Sequence, residues 1–172
     1  MVDNPLSRAR TRRTLEQLEL SPGMHVLDAG CGPGRLAVPI AQAVGPEGSV
    51  LAIDIQPRML SRAQAKARDA SVSNVQFLLG SLGAGLLQHA TFDRACLVTV
   101  LGEIPDKNAA LKEIYSSLKP GGFLLINEVV GDPHYQSIGK VRELARHVGF
   151  HPATHHGNWM AYSIRLDRPH GA

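Results

Sequence analysis

The sequence predicts an α/β fold: a doubly wound, mostly parallel seven-stranded sheet with helices on both faces and an antiparallel C-terminal hairpin strand. Three observations carry this expectation. Short apolar runs alternate with stretches of helical character, the order that produces a parallel sheet with crossover helices. The first run, Val26-Leu27-Asp28-Ala29, enters a turn with glycines at 30, 32 and 34 and then a helix-like stretch. Near the end, Trp159 to Leu166 alternates in the manner of a strand with one buried face, which suits a closing hairpin.

Strands are expected at His25 to Ala29, Val50 to Asp54, Val75 to Leu79, Ala95 to Val100 and Phe123 to Glu128, where β-branched and aliphatic residues cluster. Helices are expected at Leu36 to Ala43, Arg58 to Ala67, Asn108 to Leu118 and Ser137 to Val148, followed by an extended run from near Phe150. Gly45-Pro46-Glu47-Gly48 and Lys119-Pro120-Gly121-Gly122 read as turns. Residues 1–20 read as an N-terminal helix in which Leu15, Leu18 and Leu20 form an apolar stripe and Arg8, Arg10, Arg12 and Arg13 a basic face. That face is either solvated or part of a lid over a substrate.

A chain of 172 residues with 44% hydrophobic content suits one domain with a buried core. Its apolar runs fall well short of the ~20 residues of a membrane span, and the polar, Arg-rich start lacks a signal peptide's apolar core, so a cytoplasmic protein without a membrane span is expected. Four arginines in six positions do not make an extended basic stripe, which argues against nucleic acid as a partner. Cys31 and Cys96 read as reduced, buried thiols. His147, His151 and His155 recur every four residues beside His156, but Gly149 and Pro152 interrupt any helix that would align them, and no metal is expected. Trp159 and Tyr162 read as core or edge packing. The chain reads as a monomer or a homodimer.

The glycine turn and the acid at the end of the second strand carry the chemistry. Glycines let a backbone come into contact with a ligand, and a helix start leaves N–H groups to point at its polar atoms. Asp54 follows Gly34 by twenty residues, the interval at which an acid accepts from ribose hydroxyls in nucleotide-binding βαβ units. A nucleotide-like cofactor is the natural occupant.

At these residues the chain resembles the class I S-adenosylmethionine-dependent methyltransferases. Val26-Leu27-Asp28-Ala29-Gly30-Cys31-Gly32-Pro33-Gly34 is similar to that family's first motif, and Ala52-Ile53-Asp54-Ile55-Gln56-Pro57-Arg58-Met59-Leu60 to its second. Phe92-Asp93-Arg94-Ala95 running to Val100-Leu101-Gly102-Glu103-Ile104-Pro105-Asp106 resembles the fourth-strand motif, and Leu118-Lys119-Pro120-Gly121-Gly122-Phe123-Leu124-Leu125-Ile126 the entry to the fifth strand. The likeness extends from about residue 15 to residue 165. It implies S-adenosyl-L-methionine as cofactor, with Asp28 and the loop of Gly30, Cys31, Gly32 and Gly34 facing its methionine part. Asp54 would take the ribose, Ile55 one face of adenine, and Ser81 and Leu82 the adenine edge, with Val98 also among the cofactor contacts. Relatives often carry Asp where this chain has Ser81, a shorter and neutral oxygen.

Methyl transfer from a sulfonium is an in-line displacement that needs alignment above all, and a base only for acceptors that must lose a proton. His134, Glu103 and Glu128 are the candidates for that base, in the order His134 before Glu103. Glu103 stands where quinone methyltransferases often carry His. No Asn-Pro-Pro-Tyr-like motif follows the fourth strand, and no substrate domain is inserted. A small-molecule acceptor, such as an amphiphilic quinone, is therefore expected. The alternatives are a cofactor-binding regulatory protein of the same fold and, less favoured by the G-x-G-x-G spacing, an NAD-dependent dehydrogenase.

Overall fold

The computed structural model describes residues 5–171. These form two compact units, one ending at Leu79 and the other starting at Gly80. The first contains α1 (Pro5–Gln17), β1 (His25–Ala29), α2 (Ala37–Val44), β2 (Ser49–Asp54), α3 (Pro57–Asp69) and β3 (Val75–Leu79). The second contains β4 (Phe92–Val98), a 3-10 turn (Leu101–Glu103), α4 (Lys107–Ser117), β5 (Leu118–Val129), α5 (Ile138–Val148), β6 (His151–Gly157) and β7 (Ala161–Asp167). The strands take the order β3-β2-β1-β4-β5-β7-β6 in a seven-stranded sheet. The expected mixed α/β architecture with its antiparallel closing hairpin is what forms.

In the first unit β1, β2 and β3 pair in parallel, His25 opposite Ser49 and Val50 opposite Val75. Four of the five β1 residues are buried, as a strand covered on both faces requires, so Asp28 is a polar residue inside an apolar strand. Five of the eight residues of α2 are buried, and α3 buries Leu60, Ala63 and Ala67 along one stripe. Asn74 holds this unit at a point the apolar pattern does not mark. Its side-chain amide donates to the carbonyls of Ala41 (3.0 Å), Gly45 (2.7 Å) and Gly48 (3.2 Å), tying the end of α2 to the expected turn at residues 45–48. The last turn of α1 buries Thr14, and Leu18 just beyond it is fully buried, whereas Arg8, Arg10, Arg12 and Arg13 are exposed. The part of the N-terminal helix expectation that falls on residues 1–4 lies outside the described residues.

In the second unit β4 and β5 pair in parallel, and β7 lies antiparallel between β5 and β6. Asp106 caps α4 by accepting from Ala109 N–H at 2.9 Å, and Gly149, at φ +111°, ends α5. Phe123 is fully buried with the guanidinium groups of Arg94 and Arg165 at 4.4 and 4.0 Å from its ring centroid.

Three expectations are corrected here. Lys119-Pro120-Gly121-Gly122 is not a free-standing turn but a bulge inside β5, since Leu118 pairs with Phe92 and Phe123 with Arg94, leaving Asp93 alone opposite four residues. The Lys119 ammonium spans the bulge to Asp93 (2.8 Å), and Gly121 (φ +80°) donates to Arg168 O. The fourth strand begins at Phe92 and stops at Val98 because Thr99 turns into the left-handed region (φ +54°), which a run of β-branched residues does not foretell. Trp159 is neither core nor edge packing: it is 71% exposed in the hairpin connection, while Tyr162 is buried as expected.

Replacement of Asn74 by Ala leaves three carbonyls without their shared donor and lowers the unfolding free energy by about 1–3 kcal/mol. Asn74→Asp, which turns a carboxylate toward those carbonyls, lowers it further. Denaturant titration of both variants measures the difference.

Candidate active site

In the first unit the loop after β1 is organised around the end of β2. The N–H groups of Gly30 and Cys31 both donate to Ile53 O (2.8 and 3.0 Å), and Gly34 N–H donates to Cys31 O. Asp54 Oδ2 accepts from Gly32 N–H and Oδ1 from Gln56 N–H, each at 2.8 Å. These four loop N–H groups are spent inside the unit. What the glycines provide is shape. Gly30, Gly32 and Gly34 have φ of +74°, +52° and +73°. A Cβ at Gly34 would lie 2.9 Å from Ala63 of α3, so Gly34 serves close packing; a Cβ at Gly32 would meet nothing within 4 Å, so that position faces open space.

Asp28 is 3% exposed, and Ile55, just past the end of β2, is 63% exposed, an aliphatic side chain with an uncovered face. Each Asp54 oxygen keeps a second lone pair beyond the backbone bond it accepts. Cys31 is buried, and burial, with Asp28 and Asp54 adding to it, pushes its thiol far up, which leaves it no nucleophile at neutral pH.

In the second unit, Ser81 is exposed and donates its hydroxyl to Leu82 O (3.4 Å), while the Leu82 side chain is buried. Val98 is half-buried at the end of β4, directly before the strained Thr99, whose N–H donates to Asn127 O at 2.9 Å. Two loops then meet. The backbone of His134 packs on Gly102 so closely that no Cβ fits there, and this brings Glu103 and His134 into one neighbourhood. Both side chains belong to exposed residues. His134 is held through its backbone, its N–H on Asp132 Oδ1 (2.7 Å).

Glu128 is different in kind. It is 3% exposed, Oε2 accepts from Gln136 N–H at 3.1 Å, and Oε1 is enclosed without a hydrogen-bond partner. Burial pushes its carboxyl up to about 7, against the opposing bond from Gln136, with Asp132 adding to the rise and Lys107 reducing it. Tyr162, opposite Glu128 in the β5–β7 register, donates its hydroxyl to Gln136 O (2.7 Å), and Gln136 Nε2 donates to His134 O (2.8 Å). Tyr135 meets Tyr162 edge-on at 6.1 Å and donates to Trp159 O. Sequence reasoning missed Gln136 and Gly102. A lone glycine past a strand end marks Gly102, but nothing local marks Gln136, whose partners lie up to 26 residues away.

Among the described residues no cluster of three or more metal-ligating side chains occurs, and no helix is long and apolar enough to cross a membrane. His155 of β6 instead meets Arg142 of α5 at 3.1 Å.

Residues 20–161 match the family model described as a methyltransferase domain. The chain is 35% identical over 117 residues to the demethylmenaquinone methyltransferase of Lactococcus lactis, covering 68% of this chain and 45% of that protein. It is 33% identical over 111 residues to the arsenite methyltransferase of Halobacterium salinarum, covering 64% of this chain and 28% of that one. It therefore spans less than half the length of either relative. In fold it superimposes on a SAM-dependent methyltransferase from Aquifex aeolicus with a TM-score of 0.85 at 24% identity, covering 96% and 94% of the two chains. With the family model matched over most of its length, the chain belongs to the methyltransferase domain family.

Proposed function

We propose that the chain transfers a methyl group from S-adenosyl-L-methionine to a small-molecule acceptor that gives up a proton on methylation. The observation that carries the reading is Glu128: an enclosed carboxyl with one uncommitted oxygen, poised near neutral pH at the end of β5. The acceptors in the relatives' names, a demethylmenaquinone and arsenite, support a small molecule over a macromolecule.

The residues of the first unit fit the cofactor. Gly32 opens on space that any side chain would fill, the outer lone pairs of Asp54 suit a pair of ribose hydroxyls, and uncovered Ile55 offers an apolar face to a base. Asp28, Gly30, Cys31 and Gly34 hold the loop's shape around the methionine part. When bound, the cofactor supplies a methyl group already activated on a sulfonium. The protein's own work is then alignment, exclusion of water and, for a phenol, enol or carbon acid, removal of a proton.

A general base works best with a pKa near the operating pH, and Glu128 meets that condition by burial. This reading puts Glu128 ahead of His134 and Glu103, and its support is the enclosure of the Glu128 carboxyl. His134 and Glu103 are exposed and suit contacts at the rim, whereas Glu128 suits the proton. The Gln136 N–H holds Oε2, which leaves Oε1 as the oxygen for the acceptor's proton.

Calorimetric titration tests the cofactor. S-adenosylmethionine and S-adenosylhomocysteine bind, NAD does not, and Asp54→Ala abolishes binding; the reverse preference overturns the reading. With an accepted phenolic or quinol substrate, Glu128→Gln lowers kcat by roughly a hundredfold or more, the usual share of a general base, while His134→Ala leaves kcat within a few-fold. Equal losses in the two variants count against Glu128.

The same carboxyl governs stability. The folded chain holds the Glu128 proton up to about 7 against an ordinary 4.5, so the folded state binds it more tightly than the unfolded state. Stability from this group is complete below the ordinary value and is lost as pH rises through about 7, by roughly 3 kcal/mol at 1.4 kcal/mol per unit. Glu128→Gln removes that decline, and thermal unfolding followed from pH 5 to pH 8 shows whether it does.

A further inference from the structure

Between β3 and β4 the chain runs from Gly80 to Thr91 without helix or strand, yet part of this segment is tightly held. The N–H groups of Gly83 and Leu87 both donate to one carboxylate, that of Glu113 in α4, Gly83 to Oε2 and Leu87 to Oε1 at 2.9 Å. Gly83, at φ +89°, lies against the helix; a Cβ there would come 3.0 Å from Ala110 N and 3.1 Å from Ala109 Cβ. Two small residues admit the loop backbone and, one turn on, the carboxylate fixes it. Hydrogen bonds to an ionised acceptor are roughly twice as strong as neutral ones, and this acceptor takes two. The helix itself is anchored by buried Ala110, Leu111 and Ile114 and capped by Asp106.

Ser81 and Leu82 immediately precede Gly83. The Ser81 hydroxyl, 3.4 Å from Leu82 O, offers a base edge only a short, neutral oxygen. Recognition then falls on the main chain of residues 81–83, and the place of that main chain is set by Glu113. We propose that Glu113 is a positioning residue for cofactor recognition, fixing the backbone of Ser81-Leu82-Gly83 at which the adenine edge binds. The proposal rests on the assignment of Ser81 and Leu82 to adenine made above. It also gives the departure at Ser81 a physical account: a backbone locked by a neighbouring helix does not need a carboxylate on the loop itself.

The test compares the unsubstituted chain, Glu113→Gln, Glu113→Ala and a control, Lys112→Gly, which weakens α4 at an exposed position without touching the carboxylate. Calorimetry measures affinity for S-adenosylhomocysteine and for its hypoxanthine analogue S-inosylhomocysteine, and hydrogen exchange follows the Gly83 and Leu87 amides. Exchange at both amides is expected to speed up in the Glu113 variants. Affinity for S-adenosylhomocysteine falls on the order of tenfold in Glu113→Ala and less in Glu113→Gln, which keeps one acceptor oxygen. The preference for adenine over hypoxanthine shrinks in step, and saturating cofactor restores kcat, so the loss appears in KM. Lys112→Gly moves none of these. Unchanged exchange overturns the clamp itself. Faster exchange with unchanged affinity and base preference overturns the positioning role and the Ser81–Leu82 assignment, yet leaves methyl transfer standing on the unsubstituted chain's own binding. If the unsubstituted chain does not bind S-adenosylhomocysteine, the functional reading fails together with this one.

Discussion

A carboxylate accepting backbone N–H groups from a neighbouring loop is the interaction on which the working parts of this chain depend. Asp54 holds Gly32 and Gln56, Glu113 holds Gly83 and Leu87, Asp132 holds His134, and Glu128 holds Gln136. Parallel strands end in loops whose backbone groups have no ladder to join, and such groups cannot be left unpaired where solvent is excluded. Asp54 and Glu113 each satisfy two of them from a single side chain and fix their relative position, whereas Asp132 and Glu128 each satisfy one. Each loop thereby acquires one conformation before any ligand arrives, which lowers the ordering cost of binding.

The same device gives different chemistry according to how far it is buried. Asp54 is half-buried and both of its oxygens are engaged, so its charge is compensated on the spot. Glu128 is enclosed, engages one oxygen and is left with a raised affinity for a proton. The first arrangement suits neutral hydroxyls that donate to a fixed anion. The second suits a group that must change its protonation state, because the enclosure that makes the anion costly also makes proton uptake favourable near neutral pH.

Most of the sheet was legible from apolar runs alone. His25–Ala29 and Val75–Leu79 fall where their residues place them, and Val50–Asp54 begins one residue early in the structure. The errors gather where pairing or backbone strain overrides local pattern. Pro120-Gly121-Gly122 has every mark of a turn, but cross-strand partners at Phe92 and Arg94 extend β5 through it as a bulge. Thr99 continues a β-branched run and yet ends the strand, because its N–H reaches Asn127 O from a left-handed conformation. Trp159 has the size of a core residue, but its place in a hairpin connection decides its exposure.

The candidate site was legible on one side only, for a reason rooted in the backbone. Positive φ at residues 30, 32 and 34 demands glycine, and glycine at those intervals is visible in a bare sequence. The features that distinguish Glu128 from His134 and Glu103 leave no such trace. They arise from Gln136 arriving eight residues later, from Tyr162 facing Glu128 across two strands, and from a packed loop that excludes water. Any Glu at a strand end could be a solvated acid, and only the enclosing contacts make it a proton acceptor near neutrality. Chemistry that rests on special backbone geometry is therefore written locally, whereas chemistry that rests on desolvation is a property of the assembled unit. The base that serves an acceptor has to be sought in what surrounds a carboxylate, not in the carboxylate's place in the chain.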